Sequence, residues 1–266
     1  MTFRPKENRI LSCLQRNEVP LGTQIYMAHP AIIEIIAYAG FDYYMLDMEH
    51  CRVNPETMEH CIRAADAAGI TTVVRVPENN HTLIRGAMEA GAQGVIVPHI
   101  NTKEDARKAV NALRYPPEGT AGMCPAIRSA NYSVPSWDDY LEYHSNNTSL
   151  IALIESPQAV DNAEEIFAEL KSGVDAVWFG RGDLAQAVAK PGEKVDWDPP
   201  YINEAFEKVL AVSKKTGIPV MAIPFPVLSP ESAKEALAKG ARIMLYSIDQ
   251  LLFYNLCVDI VKAMKG

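Results

Sequence analysis

Eight short apolar runs recur along the chain, at residues 22–27, 43–48, 71–76, 94–99, 150–155, 176–180, 219–223 and 242–247. Each has the length of a strand and the near-continuous hydrophobicity of one buried on both faces. Between them, apolar positions return at helical spacing over residues 30–40, 55–69, 81–91, 103–115, 157–170, 202–217 and 230–240. Pro30, Pro55, Pro157 and Pro230 each fall in a first helical turn, where a missing N–H costs little, and several segments end on the glycine that helix termini favour. A further amphipathic helix is predicted near residues 9–17. This alternation predicts a single (β/α)8 barrel domain over residues 1–266. A doubly wound open sheet is disfavoured, because no G-x-G-x-x-G turn follows any strand.

Two segments interrupt the pattern. Residues 116–137, "PPEGTAGMCPAIRSANYSVPSW", run longer than ordinary connections do, as lids and interface elements often do. Residues 251–266 form a terminal helix with more aromatic and aliphatic side chains than one barrel face uses, so it is expected to pack on a second subunit.

Composition narrows the function. A net charge of −8 supplies no basic stripe for nucleic acid or acidic lipid. The first residues lack an apolar signal core and no run is long enough to span a bilayer, so a cytoplasmic protein is expected. The 5 cysteines are scattered and include no C-x-x-C pair, which disfavours a disulfide framework or zinc clip.

Barrel active sites assemble at the C-terminal ends of strands, and four predicted strands end in chemistry-bearing residues. The second delivers Asp47, Glu49 and His50; the third carries Arg75 on the period-two face of Thr71 and Val73. A guanidinium inside a barrel requires carboxylates or an anionic ligand, and Asp47 and Glu49 are its natural partners. The fifth ends in Glu155, and the sixth leads through "WFGRGDLA" to Asp183. Two carboxylates converging on one rim suit Mg²⁺ or Mn²⁺ with several waters, and His50 is then the nearest group for general base work. Taken singly, Asp183 could cap a helix, Glu155 could sit at a helix start, Arg75 could be a structural ion-pair partner and His50 a surface residue; the joint pattern on four strands favours a site. His29, His60, His81 and His144 show no metal-ligand spacing and are expected on loops and exposed faces, while His99, ending the fourth strand, is kept as a candidate. The ends of the last two strands lack Gly-rich turns, which disfavours a sugar phosphate.

These residues resemble the metal-dependent class II pyruvate aldolases of the HpcH/HpaI family. The likeness runs from about residue 20 to 250 through "LDMEH", "VVRVP", "GAQGVIVP", "RYPPEG", "IES" and "GRGDL". It implies that Glu155 and Asp183 hold a divalent metal (Mg²⁺ or Mn²⁺, possibly Co²⁺), that Arg75 holds the ketone oxygen, and that His50 is the acid/base supported by Asp47. It also implies that the backbone N–H groups of Gly182 and Asp183 bind the pyruvate carboxylate, and that Glu89 takes the place of an aspartate near the base. The implied reaction is reversible cleavage of a 4-hydroxy-2-oxo acid into pyruvate and an aldehyde by a homo-oligomer, a hexamer built as a trimer of dimers that exchange the last helix.

Three positions depart from the family pattern. Leu153 stands where a glutamine is frequent, Ala121 where an arginine is usual, and Arg181-Gly182 replaces Pro-Ala before the metal aspartate. The metal and enolate half of the site is thus kept while the acceptor half differs, which leaves Arg181 as either a binder of a second substrate anion or a rim salt bridge. Oxaloacetate decarboxylation or enolate addition of the macrophomate synthase kind is the alternative reaction. A catalytically silent barrel that binds a 2-oxo acid is the alternative from another class.

Overall fold

The computed structural model describes residues 3–266. Its eight strands are Leu21–Ile25 (β1), Tyr43–Asp47 (β2), Thr71–Arg75 (β3), Gly94–Val97 (β4), Ser149–Ile154 (β5), Ala176–Phe179 (β6), Val220–Ala222 (β7) and Ile243–Ile248 (β8). All pair in parallel with their sequence neighbours, and β1 closes on β8, so the sheet is an eight-stranded barrel. The helices between strands pack outside it, giving the predicted (β/α)8 fold. They are Pro30–Tyr38 (α2), Pro55–Ala68 (α3), His81–Ala90 (α4), Lys103–Leu113 (α5), Trp137–Asn147 (α6), Pro157–Asp161 (α7), Ala163–Phe167 (α8), Arg181–Ala187 (α9), Pro200–Thr216 (α10) and Pro230–Lys239 (α11), after an N-terminal Arg9–Gln15 (α1) and before a C-terminal Asp249–Lys265 (α12).

The strands split their side chains between two cores. Tyr44, Leu46, Val74 and Val95 face outward under the helices, whereas Tyr43, Met45, Val73, Ile96, Ile151 and Trp178 fill the interior. Ile10 of α1 joins the inner cluster and plugs the base of the barrel. Gly22 makes room for Tyr43: a Cβ there would lie 2.3 Å from the ring, whose hydroxyl donates to the Met244 carbonyl at 2.9 Å. The period-two reading of β3 holds, since Val73 points inward and Arg75 is buried one pleat further up.

Four features differ from the sequence expectation. The segment predicted as one helix over residues 157–170 breaks at Asn162 into α7 and α8. Residues 137–147 are helical although their aromatic stripe is interleaved with acids. The long connection leaves α5 at the base of the barrel and returns to β5 through short 3₁₀ turns and α6, so it lies at the end opposite the mouth and is no lid over its own site. His144 of α6, expected on an exposed face, is buried against Tyr115 and Tyr140, with its ring Nε2 3.0 Å from the Leu113 carbonyl. Burial beside Arg114 pushes its pKa down to about 3.

α12 touches the barrel mainly through its first turn. There the Asp249 carboxylate accepts the N–H groups of Tyr26 and Met27 at 3.0 and 2.9 Å. Beyond it Phe253, Leu256, Ile260 and Met264 stand exposed, Met264 by 80%. Among the described residues no helix is long and apolar enough to cross a membrane.

Candidate active site

Register assembles the site. Asp47 and Arg75 are paired positions of β2 and β3, and both are buried at the mouth. Arg75 forms an ion pair with Asp47 through Nη2 and another with Glu49 Oε2 through Nη1 at 3.0 Å. Its guanidinium also lies 5.3 Å from the ring centre of Trp178, a cation–π contact inside the barrel. The buried cation foreseen from sequence is therefore present, with the two foreseen carboxylates beside it.

Asp47 differs from its expected role. Its Oδ1 accepts the backbone N–H groups of Glu49 and His50 at 2.8 and 2.9 Å, while Oδ2 takes the Gln24 amide at 2.6 Å and Arg75. Four donors leave no lone pair directed at the His50 ring, so Asp47 fixes that residue's backbone instead. The carboxylate facing the ring belongs to Glu49, 3.7 Å from His50 Nε2, and the ring is about half exposed. Burial raises the Glu49 pKa despite Arg75 and the two nearby imidazoles.

On the opposite rim, Glu155 follows β5 and stands beside Gly180, which follows β6. A Cβ at Gly180 would lie 2.7 Å from the Glu155 Cβ and 3.0 Å from Leu153, so only glycine permits this approach. Glu155 Oε1 accepts the His99 backbone N–H at 2.8 Å and faces His99 Nδ1 at 3.0 Å, with His99 held at φ +58°. The other imidazole nitrogen is 3.5 Å from Glu49 Oε1, so His99 bridges the two halves of the mouth. Burial, reinforced by the negative charge of Asp183, pushes the Glu155 pKa up to about 7.

That pair fits a divalent cation. Glu155 Oε2 and the exposed Asp183 carboxylate make no hydrogen bond among the described residues, and their mutual repulsion is what a cation between them relieves. No group of three or more His, Cys, Asp and Glu is disposed as a ligand cluster among the described residues. A cation held by these two carboxylates would draw its remaining oxygen donors from water and substrate, as hard cations bound by few carboxylates do.

The remaining expected residues are placed unevenly. Leu153 lies in the inner core directly beneath Glu155. Gly182 and Asp183 occupy the first turn of α9, whose N–H groups have no partner within the helix. Arg181 is ion-paired with Asp198. Glu89 is not brought to His50: a helix after a strand runs back from mouth to base, and Glu89 sits in the last turn of α4 beside Arg85 at 3.1 Å. Sequence reasoning missed Gln24, Tyr26, Trp178 and Gly180. Tyr26 adjoins Asp47 and Arg75, and burial with the Asp47 charge pushes its pKa to about 12. Its only signal was an amide and a phenol near the end of an apolar strand.

A barrel that gathers a buried arginine, two imidazoles and four acids at its mouth is an enzyme's. The profile of the HpcH/HpaI aldolase/citrate lyase family matches residues 23–255, and the chain belongs to that family. It is 31% identical over 253 residues to the 2-dehydro-3,6-dideoxy-6-sulfogluconate aldolase of Pseudomonas putida, covering 95% of each chain. It is 32% identical over 261 residues to the 5-keto-4-deoxy-D-glucarate aldolase of Klebsiella pneumoniae, covering 97% of each. A family protein from Burkholderia cenocepacia superposes with a TM-score of 0.87 at 28% identity, covering 98% of this chain and 100% of that one. The protein is accordingly a carbon–carbon lyase of aldolase type.

Proposed function

We propose that the chain catalyses divalent-metal-dependent aldol cleavage of 4-hydroxy-2-oxo acids to pyruvate and an aldehyde. The observation that carries this reading is the buried Arg75 facing, across one mouth, the unpaired oxygens of Glu155 and Asp183. Glu155 and Asp183 would hold Mg²⁺ or Mn²⁺, with Co²⁺ as a substitute. Bound there, the cation supplies Lewis-acid withdrawal of charge from a chelating 2-oxo acid.

The chain's own residues supply the rest. Arg75, fixed by Asp47 and Glu49, donates to the 2-oxo oxygen as it gains negative charge, an oxyanion-hole effect. His50 accepts the proton of the C4 hydroxyl as the C3–C4 bond breaks, and the bonding pair enters the enolate; the proton then returns to C3. The N–H groups of Gly182 and Asp183 orient the carboxylate, and Leu153 gives the reacting end an apolar floor. Arg181 meets a second substrate anion only by leaving Asp198, so we assign it the smaller role of the two sequence alternatives.

We further propose a cytoplasmic homo-oligomer, a hexamer of three dimers, in which the exposed apolar face of α12 packs on another subunit. Five unpaired cysteines and the charge of −8 support that compartment and a small-molecule rather than nucleic-acid or membrane partner. Pyruvate release coupled to lactate dehydrogenase, across a panel of 4-hydroxy-2-oxo acids and oxaloacetate, tests the reaction. Release should require Mg²⁺ or Mn²⁺, stop with EDTA, and fall by about 10²-fold or more in His50→Ala. Release from oxaloacetate alone would replace aldol cleavage by decarboxylation, and no release anywhere would leave a silent barrel.

A further inference from the structure

We infer that the base of the barrel, opposite the catalytic mouth, carries a second ligand site, for a monoanion with an apolar body. A cavity of about 580 Å³ opens there between α1 and the segments entering β6, β7 and β8, a volume in the range of small-molecule sites. Its wall is apolar, built chiefly by Leu14, Ile151, Val174 and Leu210. An apolar hollow alone would fit any greasy molecule.

Two further observations define the head group. Ser149, at the start of β5, lines the cavity with its Oγ buried and without a hydrogen-bond partner. A hydroxyl left dry in this way is a donor waiting for an acceptor. The cationic groups that face the cavity are Lys214 and Arg242, and neither is paired with a carboxylate: Arg242 bonds only the Asn17 amide and its Nε is buried without a partner, whereas the Lys239 ammonium turns away to Asn203 in the neighbouring hollow. The one acid in the lining, Asp175, is already answered by Arg114 and by the Leu150 and Lys171 N–H groups. Free donors and free positive charge over an apolar wall select a carboxylate or sulfonate on an acyl or aromatic body. A zwitterion or a cation gains nothing there.

The probe is 8-anilinonaphthalene-1-sulfonate, read by fluorescence on the full-length protein, with octanoate and octan-1-ol as competitors. One dye should bind per subunit, octanoate should displace it, and octan-1-ol should need about tenfold more. Leu210→Trp, which fills the cavity, should abolish binding while pyruvate release persists. Lys214→Ala, at an exposed position, should weaken binding about tenfold without touching the wall. Dye binding that survives Leu210→Trp but vanishes in Phe253→Ser/Leu256→Ser would place the dye on α12 and overturn the site. Equal competition by octanoate and octan-1-ol, unchanged affinity in Lys214→Ala, or no binding would overturn it as well.

Discussion

The barrel buries an arginine–aspartate pair at each end, and the two pairs are built to opposite specifications. At the base, Arg114 Nη2 meets Asp175 while Nη1 donates to the Thr148 carbonyl at 2.7 Å. Asp175 also accepts the Leu150 and Lys171 N–H groups, each at 2.8 Å. At the mouth, Asp47 is equally saturated, but its surroundings are not: Arg75 Nε and Trp178 Nε1 are buried without a hydrogen bond, and Glu49 Oε2 is answered only by its ion pair with Arg75. Unsatisfied polar atoms cost free energy, so their concentration around Arg75 marks a place where a ligand completes the network. A buried ion pair by itself separates neither role; the arginine does, since Arg75 keeps its own Nε buried without a partner whereas Arg114 has no such nitrogen among the described residues.

Breaking the two pairs sharpens this contrast. Arg114→Ala leaves the Asp175 charge buried without its cation and should cost about 3–5 kcal/mol of folding stability. Denaturant unfolding checks that value, and soluble variant should keep its per-site turnover because the mouth is untouched. Arg75→Ala should behave the other way, lowering kcat/KM by about 10²–10³-fold with a smaller stability loss, since Asp47 retains three donors. If the two variants lost stability and activity in the same proportion, the distinction between a structural and a catalytic pair would collapse.

How much of this was legible depended on the distance over which each contact acts. Strands buried on both faces read as continuous apolar runs, so β2, β3 and β5 emerged directly, and with them Asp47, Arg75 and Glu155. The helix over residues 137–147 did not, because part of its buried stripe is a histidine, His144, that local reasoning assigns to the surface. Glu89 was implied by the family resemblance, and a resemblance in sequence is blind to which end of a helix lies at the mouth. Asp47 was placed correctly and given the wrong contact: nothing local shows that its lone pairs are taken by its own loop and by Gln24, 23 residues away. Gly180 could have been found from the rule that a glycine just past a strand marks a close approach.

A pH series extends the comparison to the base. His144 is neutral in the fold, with its pKa near 3 against an unfolded value of 6.5. Between those values the unfolded chain binds the extra proton, so stability is full above about pH 6.5 and falls as the pH drops toward 3, by at most about 1.4 kcal/mol per pH unit. His144→Phe keeps the aromatic packing and removes the proton site, so its unfolding free energy should lose that component of the slope. An identical slope in both proteins would show that carboxylates alone set the acid limit.

The smallest expected effect lies at Gln24, where the mouth differs from the base in one more respect. Asp175 is held by its arginine and by backbone N–H groups, whereas Asp47 has a second side-chain donor that substitution can remove without moving the chain. Gln24→Leu deletes a hydrogen bond to a charged group, worth about 1.5–3 kcal/mol in a buried setting. Arg75 and the two N–H groups remain to answer Asp47, so the loss should fall at the lower end. Because the same carboxylate anchors the backbone of His50, part of that loss should appear in kcat rather than KM, about three- to tenfold. Gln24→Glu, which sets a second carboxylate against Asp47, should be worse than Gln24→Leu on both counts. Wild-type kcat in Gln24→Leu would mean that the two backbone N–H bonds hold His50 alone, and the mouth pair would then be as self-sufficient as the one at the base.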